Sequence, residues 1–536
     1  MFHTIHRFSA FALIGLLTGA ALALSPHSLE ARIILALGTC LCALGVYDLI
    51  QRKHAVLRNY PVIGHMRYLL ESIRPELRQY FFENDEDEEP FSRDARTLIY
   101  QRAKDLESSK PFGTKKRVYD AGYEWLTHSI RPRHIADKDF RVTIGGPACK
   151  QPYAASVYNI SAMSYGALSG NAIVALNRGA KAGGFAHDTG EGGVSAFHHQ
   201  GGDLIWEIGS GYFGCRTENG RFDADAFAQT ARNPQIKMIE VKLSQGAKPG
   251  LGGVLPAAKI TAEIARARGV PMGVDCISPP SHSAFSTPLE LMEFLGQLRD
   301  LSGGKPVGFK LCIGHRREFM CLVKAMLATN FYPDFIVVDG KEGGTGAAPL
   351  EFANHMGMPL VEGLTFVHNT LRGAGIRDDI RIGASGKLTS AFDIAKAMAL
   401  GADWANSARG YMFALGCIQS QSCHTNRCPV GIATQDTLRA RALNVPDKAQ
   451  RVANFHANTL AALAEITGAA GLVHPNDFRP HHIMLREKDR NMVVGNQVYK
   501  ELPHGFLIAG HDEGDGYLSR WNRADPASFY PNDDGV

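Results

Sequence analysis

From about Ala155 onward the chain alternates short β-branched or apolar runs with helical stretches, and this alternation constrains the fold more than any other feature. The candidate strands are Val157–Ala162, Gly184–His187, Met238–Leu243, Gly273–Ile277, Val307–Cys312, Phe335–Asp339, Arg381–Ala384 and Asp403–Asn406. Helical stretches at Asn171–Lys181, Ala257–Arg268, Pro288–Leu301, Arg317–Thr329, Leu360–Gly373 and Ser390–Leu400 occupy most of the gaps. Strands that alternate with helices pair in parallel, so the pattern predicts an α/β chain, and eight repeats predict a closed (β/α)8 TIM-type barrel. The stretch between the second and third strands is longer than one helix needs. It holds Leu204–Ile208 and a Gly-rich turn, and an insertion is expected there. An apolar fraction of 45% supplies a core, and a net charge of +4 over 536 residues gives no strong pull on nucleic acid.

Two apolar runs precede this region. Phe8–Leu24 carries no charge, and a second run from Ile33 to about Ile50 carries one acid, Asp48. Each approaches the roughly 17–25 residues that cross a bilayer. His6 and Arg7 precede the first run, Gln51-Arg52-Lys53-His54 follows the second, and the break between them contains Pro26 and Glu30. Basic residues at both outer ends predict a transmembrane hairpin that leaves the catalytic part on the cytoplasmic side. A cleaved signal peptide followed by one anchor is the competing reading, and a buried hairpin in a soluble protein is a third. Leu57 to Phe82 and Ser92 to Ser108 have helical spacing, interrupted at Pro61 and Pro75, with an acidic run from Glu83 to Glu89 between them. The expected division is a hairpin over 1–54, a helical connector over 55–150, a barrel with its cysteine segment over 151–472, and a polar extension over 473–536.

Chemistry in such barrels sits past the C-terminal ends of the strands. Polar, Gly-rich loops follow nearly every candidate strand: Ser161-Ala162-Met163, Thr189-Gly-Glu191, Gln245-Gly-Ala-Lys248, Ser278-Pro-Pro, Asp339 to Gly346, Ser385-Gly386-Lys387 and Ser407-Ala-Arg409. Together they point to a cofactor with a phosphate, held by glycine turns and helix N-termini after the last two strands, where Gly386, Lys387, Ser407 and Arg409 fall. Ser161, Ala162, Gly343, Gly344 and Thr345 are further candidate contacts. Lys310 on the fifth strand suits the N1–O2 edge of a flavin, whose reduced ring is anionic; its rival role is a buried ion pair. A literal G-x-G-x-x-G at Gly209–Gly214 lacks the strand–turn–helix setting of a dinucleotide site.

Of the ten cysteines, seven are scattered and read as small buried hydrophobes or members of the N-terminal runs, which fits a reducing compartment. The other three are clustered: Cys417, Cys423 and Cys428 follow C-x5-C-x4-C, with Pro429 after the last. Three thiolates can hold a 3Fe–4S cluster, and a proline after the closing cysteine is a habit of iron–sulfur runs. Zinc with His424 as fourth ligand is the rival, although structural zinc favours closer spacings. Unligated thiols remain the third reading.

Ile160-Ser-Ala-Met-Ser, Thr189-Gly-Glu-Gly-Gly, Gln245-Gly-Ala-Lys-Pro-Gly, Ile277-Ser-Pro-Pro, Gly343-Gly-Thr-Gly-Ala and Cys417 to Cys428 running into Pro-Val-Gly-Ile-Ala-Thr-Gln-Asp436 occur in that order. This series resembles the FMN-binding synthase domain of glutamate synthase, over about residues 145 to 470, and the apolar N-terminus resembles a membrane-associated branch of that family. The resemblance implies a β/α barrel holding FMN and a 3Fe–4S cluster, and reduction of 2-iminoglutarate, formed from 2-oxoglutarate and ammonia, to glutamate. By motif position it implies that Glu191, Lys248 and Gln245 serve catalysis, with Glu191 and Lys248 as proton donors or organisers of the imine. It places Met163, Ser210 and Arg268 against the substrate. Electrons would come from ferredoxin or a separate reductase subunit. On the residues alone, Arg268 reads as a solvent-facing helix residue.

The chain departs from the family pattern at several points. Val254 stands where the family has a glutamine, Lys341 and Glu342 add charge to the aspartate–glycine loop, and Ala408-Arg409 replaces a smaller pair. No cysteine follows Met1, so no amidotransferase domain with an N-terminal nucleophile is expected, and ammonia would be free or come from a partner. Two further readings stay open: the same cofactors acting on another 2-oxo acid or an N-substituted amine, and a membrane-attached electron-transfer module.

Overall fold

The computed structural model describes residues 2–26, 28–86, 90–109, 111–488, 491–510 and 516–530, without the side chains of 2–7 and 258. The flanking side chains of His6 and Arg7 and part of the acidic run, residues 87–89, lie outside that set. The chain divides into two compact units, Met1–Arg93 and Asp94–Val536.

In the first unit, α1 (Phe2–Leu24) and α2 (Leu29–Ile50) form a helical hairpin. Ser28 caps α2 by accepting from the Ala31 amide. The buried positions Ala31, Gly38 and Gly45 recur every seventh residue and face α1. A Cβ on Gly38 would sit 2.2 Å from Thr18 Oγ1, so the two helices approach as closely as their backbones allow. Among the described residues α2 is the helix long and apolar enough to cross a membrane; the apolar part of α1, Phe8–Leu24, is shorter. Helices Ala55–Asn59 and Gly64–Leu77 and a π-helical turn Arg78–Phe82 follow.

The second unit is built on a closed barrel of eight parallel strands: β1 (Tyr158–Ile160), β2 (His187–Asp188), β3 (Leu204–Ile208), β4 (Ile236–Lys242), β5 (Val307–Leu311), β6 (Phe335–Asp339), β7 (Arg381–Ser385) and β8 (Trp404–Ser407). Neighbours in sequence are neighbours in the barrel, and β8 closes on β1 with Ala405 opposite Tyr158 and Ser407 opposite Ile160. Such strands are covered on both faces, which is why they read as continuous apolar runs. The N-terminal mouth is sealed by an antiparallel hairpin, Arg141–Ile144 with Tyr153–Ser156. Its Val142, Ile144 and Ala155 pack on Ala186, Ile205, Met238, Phe335, Val337 and Trp404. A long helix, Val445–Ala469, lies against helix Gly170–Gly183. Part of the C-terminal extension, Ile483–Arg486 and Met492–Val494, forms a three-stranded sheet with Glu124–Leu126.

Three expectations are corrected. Gly273–Ile277 is not a barrel strand; Cys276–Ile277 alone is extended, and it pairs antiparallel with Val254–Leu255. Val274 and Ile277 are 58% and 65% exposed, so their β-branched character marks no core position. The third strand is Leu204–Ile208, buried along its whole length, and the insertion lies between β4 and β5, across 243–306. The expected helix Ala257–Arg268 also breaks, because the Thr261 side chain accepts from the Ile264 amide and starts a new helix at Ala262.

Candidate active site

The alternation of a strand points every second residue into the barrel, and two groups of charged side chains result, one above the other. The lower group is enclosed. Asp188 at the end of β2, Glu207 on β3, Glu240 on β4 and Lys310 on β5 are all buried. Lys310 Nζ pairs with Glu207 Oε2 and lies 3.2 Å from Glu240 Oε1. Burial works against the lysine's charge, but Glu207, Glu240, Asp188 and Asp339 outweigh it and hold its pKa well above the ordinary value. Three carboxylates against one ammonium leave surplus negative charge in a dry interior. Burial and the neighbouring Glu207 therefore drive Glu240 up to about 7, with Lys310 offsetting part, and burial with Glu240 and Glu207 drives Asp188 well up. Lys310 thus makes the buried ion pairs that were its rival role, at the floor of the site.

The upper group lies at the C-terminal mouth. Glu191, in the turn after β2, meets Lys242 at the end of β4, with Oε1 3.0 Å from Nζ. A Cβ on Gly209 or on Gly253 would sit 2.6 or 2.8 Å from a Glu191 carboxylate oxygen, so both glycines clear room for it. Burial opposes the charge on Glu191, but Lys242, Arg268 and Lys248 overcome it and hold the carboxyl below its ordinary range. Lys248 is lowered by burial above all, Glu191 offsetting part and Lys242 adding to it.

Arg268 is buried rather than facing solvent. Its Nη2 donates to the Tyr165 carbonyl at 3.3 Å, its guanidinium lies 5.0 Å from the Phe213 ring centroid, and its buried Nε has no hydrogen-bond partner. Of the other expected residues, Met163 is buried and Gln245 is half-buried beside Gly246, whose amide donates to Asp339 Oδ2 at 2.7 Å. Ser210 Oγ donates to the Pro279 carbonyl, which ties the β3 loop to the insertion.

Lys242 and His282 escaped the sequence reading. Lys242 was legible as an inward residue two places after Glu240 on β4. His282 Nε2 donates to the Lys242 carbonyl at 2.8 Å, and Nδ1 accepts from the Tyr212 hydroxyl at 3.1 Å. Burial pushes His282 down to about 4, against the pull of the Lys242 carbonyl and Glu191, so it is neutral and braces the end of β4.

The opposite side of the mouth brings together the turn after β7, the end of β8 and the cysteine segment. After β7, Gly386 has φ +153° and Lys387 φ +53°, the latter uncommon for a residue with a side chain. Successive amides in such turns form concave anion sites. Ser161 and Ser385 face each other at 3.3 Å, Ser407 is buried beside them at the end of β8, and Ala162 is half-buried. These residues fit a phosphorylated cofactor. Arg409 Nη2 donates to the Thr345 carbonyl at 2.6 Å and Nη1 lies 3.7 Å from Cys423 Sγ, which joins the Gly343-Gly344-Thr345 loop to the cysteine segment. The charge at Glu342 and Lys341 is absorbed locally: Glu342 accepts from the Leu360 amide at a helix start, and Lys341 Nζ donates to the Ala353 carbonyl.

The cysteine segment wraps tightly, with Gln419, Gln421 and Asn426 at φ +57°, +55° and +62°. Cys417 is raised by burial; the Gln419 amide and Arg409 oppose this, and Cys423 and Cys428 add to it, so the three thiols sense one another. As a set their sulfurs are not within 4.8 Å of each other; among the described residues that spacing belongs to Asp188, Glu207 and Glu240. Tetrahedral zinc, with Zn–S about 2.3 Å, brings sulfurs to about 3.8 Å. Three soft thiols beside the cations Arg409 and Lys259 have the chemistry to hold an anionic cluster, and their spacing does not match a single tetrahedral ion.

A family model described as a conserved region in glutamate synthase matches residues 142–473. The chain is 39% identical over 493 residues to the glutamate synthase large subunit-like protein YerD of Bacillus subtilis, covering 84% of this chain and 93% of that one. It is 36% identical over 329 residues to the archaeal glutamate synthase (NADPH) of Methanocaldococcus jannaschii and 34% identical over 328 to the archaeal-type enzyme of Thermotoga maritima. In both cases it spans 61% of the relative's length. Among solved structures it is similar to mandelate oxidase with (S)-2-phenylpropionate, at TM-score 0.41 and 14% identity over 75% of this chain and 98% of that one. With the family region spanning the barrel and the cysteine segment together, the chain belongs to the glutamate synthase family.

Proposed function

We propose that this chain, in a family of oxidoreductases acting on CH–NH2 donors, uses FMN and a 3Fe–4S cluster to reduce the imine of a 2-oxo acid, 2-iminoglutarate to glutamate by family default, with electrons from an external donor. The observation that carries this is the upper group: one carboxylate, Glu191, among Lys242, Lys248 and Arg268. Its surplus of positive charge complements a dianionic 2-oxo acid.

When bound, FMN supplies the hydride and the cluster a path for single electrons. The protein's own residues do the rest. Arg268 presents its unpartnered Nε to a substrate carboxylate. Lys248, an ammonium with lowered pKa, is placed to give its proton to the imine nitrogen, leaving its own side chain as a neutral amine. Glu191 stays ionised and holds Lys242 and Lys248 in place, with Gln245, Met163 and Ser210 along the wall. Ser161, Ala162, Gly343, Gly344, Thr345, Gly386, Lys387 and Ser407 form the cofactor cradle, with Lys310 beneath. Cys417, Cys423 and Cys428 would hold the cluster, and Arg409 joins their segment to the Thr345 loop. The hairpin anchors the chain in a membrane, with the catalytic unit on the cytoplasmic side; the division at 54, 150 and 472 belongs to this proposal.

The test is purified full-length protein. A flavin spectrum and about three irons per chain are expected, and photoreduced protein is expected to be reoxidised by 2-oxoglutarate with ammonia. Full flavin occupancy with no reoxidation by any 2-oxo acid and amine would sink the proposal. Val254 favours a second reading: it is 56% exposed beside Gly253, which borders Glu191, so an apolar edge stands where the family has an amide. Faster reoxidation by another 2-oxo acid or an N-substituted amine would select it.

A further inference from the structure

Helix Gly64–Leu77 presents an apolar stripe that the described residues leave exposed. Met66, Leu69, Leu70 and Ile73 are spaced to share one face and are 56%, 58%, 52% and 39% exposed. The turn that follows adds Phe81 and Phe82, 76% and 79% exposed. The other side is charged, with Arg67 and Glu71 paired at 3.5 Å and Arg74 and Arg78 beyond them. A soluble surface rarely leaves so much contiguous apolar area open.

What covers it is indicated by what it is tied to. Asp48, in the last turn of α2, is fully buried. Its Oδ2 accepts from the Val62 amide at 2.9 Å, and its Oδ1 lies 2.9 Å from His65 Nε2. Gln51 closes the corner, its Oε1 accepting from the Lys53 and His54 amides. Val62 has φ +65°, costly for a β-branched residue, so these bonds hold a sharp bend. The stripe is thereby fastened to the end of the apolar helix α2, and basic Arg52, Lys53 and Arg58 lie at the bend. An amphipathic helix with aromatic and basic residues at a membrane exit matches the interface between acyl chains and headgroups.

We propose that helix Gly64–Leu77 and the Arg78–Phe82 turn lie in the membrane–water interface, with the Met66–Ile73 stripe at the acyl boundary and the arginines on anionic phospholipid headgroups. This rests on the reading that α2 spans the bilayer. Asp48 and His65 form the bracket that sets the helix in the plane of the membrane.

The experiment uses the full chain in vesicles of phosphatidylcholine and phosphatidylglycerol containing lipids brominated at shallow or deep acyl positions, which quench nearby tryptophan. The native tryptophans all lie beyond residue 93, and their signal is subtracted with the unmodified protein. Leu37→Trp reports on α2, Leu70→Trp on the stripe and Glu71→Trp on the opposite face. Expected are deep quenching at Leu37→Trp, and shallow quenching at Leu70→Trp about twofold or more above that at Glu71→Trp. No quenching at Leu37→Trp would overturn the span and this inference together. Deep quenching there without shallow quenching at Leu70→Trp would overturn this inference alone. A blue-shifted but unquenched Leu70→Trp would show protein, a second copy or a partner, over the stripe and overturn it too. In Asp48→Asn the shallow quenching at Leu70→Trp should fall while that of α2 persists; if it does not change, the bracket is wrong.

Discussion

The two charged groups in the barrel differ in composition and in how their imbalance is resolved. The lower has three carboxylates and one lysine and is closed to solvent; it resolves its surplus by keeping protons, as at Glu240. The upper has three cations around one carboxylate and opens at the strand ends, a surplus of positive charge that on the proposed reading receives an anion. Registry connects them, because Lys242 lies across from Lys310 and two residues above Glu240 on the same strand. The same residue types thus give a closed, proton-holding floor and an open, positively charged mouth, according to depth.

The contrast can be broken most severely at Lys310. Lys310→Met leaves the lower carboxylates with no cation and is expected to cost about 3–5 kcal/mol, seen as a large fall in the thermal midpoint of the catalytic unit. Adding Glu240→Leu should recover much of it. A neutral Lys310→Met would mean the lower group is not the floor described here.

Lys248→Met tests the upper group. It should lower kcat by about 10²–10⁴-fold with flavin content and thermal midpoint unchanged, measured by flavin reoxidation under saturating 2-oxo acid. Loss of stability instead of rate would make Lys248 structural.

A third prediction turns on sign. Glu240 binds its proton more tightly folded, at about 7, than the ordinary carboxyl at 4.5. Its contribution to stability is complete below the unfolded value and disappears as pH rises through about 7. Glu191 is held below its ordinary value, so its contribution is present above the unfolded pKa and is lost as pH falls through the folded one. Glu240→Gln should therefore flatten the decline in thermal midpoint between about pH 5 and pH 8, and Glu191→Gln the decline on acidification below the ordinary carboxyl value. Like slopes in both variants would erase the distinction between the groups.

The smallest effect is expected at Val254. Val254→Gln adds one hydrogen bond at the rim, about 0.5–1.5 kcal/mol, and should lower KM for 2-oxoglutarate about two- to tenfold. An unchanged KM would place the rim outside the substrate's reach.

Most of the barrel was legible because its strands are sheathed on both sides and read as unbroken apolar runs, as in Val307–Leu311 and Phe335–Asp339. The error at Leu204–Ile208 has the same root. Its inward Glu207 makes it look half-polar, whereas the apolar Gly273–Ile277 pairs for two residues on the surface. The strand-end loops marked Glu191, Lys248 and the cysteines by composition, but not Lys242 or His282. Lys242 was legible only through its alternation with Glu240 on one strand, and the role of His282 comes from a tautomer set by a carbonyl, which no local pattern encodes.

The long segment between β4 and β5 has a consequence for how this enzyme type diversifies. Gln245, Lys248 and Arg268 are all drawn from it, whereas Met163, Glu191 and Ser210 follow β1, β2 and β3, and the proposed cofactor cradle follows β1 and β6 to β8. On the proposed reading, one side of the substrate site is therefore carried by a single insertion. Changes within that insertion, of which Val254 is one, would alter the molecule acted upon without touching β6 to β8.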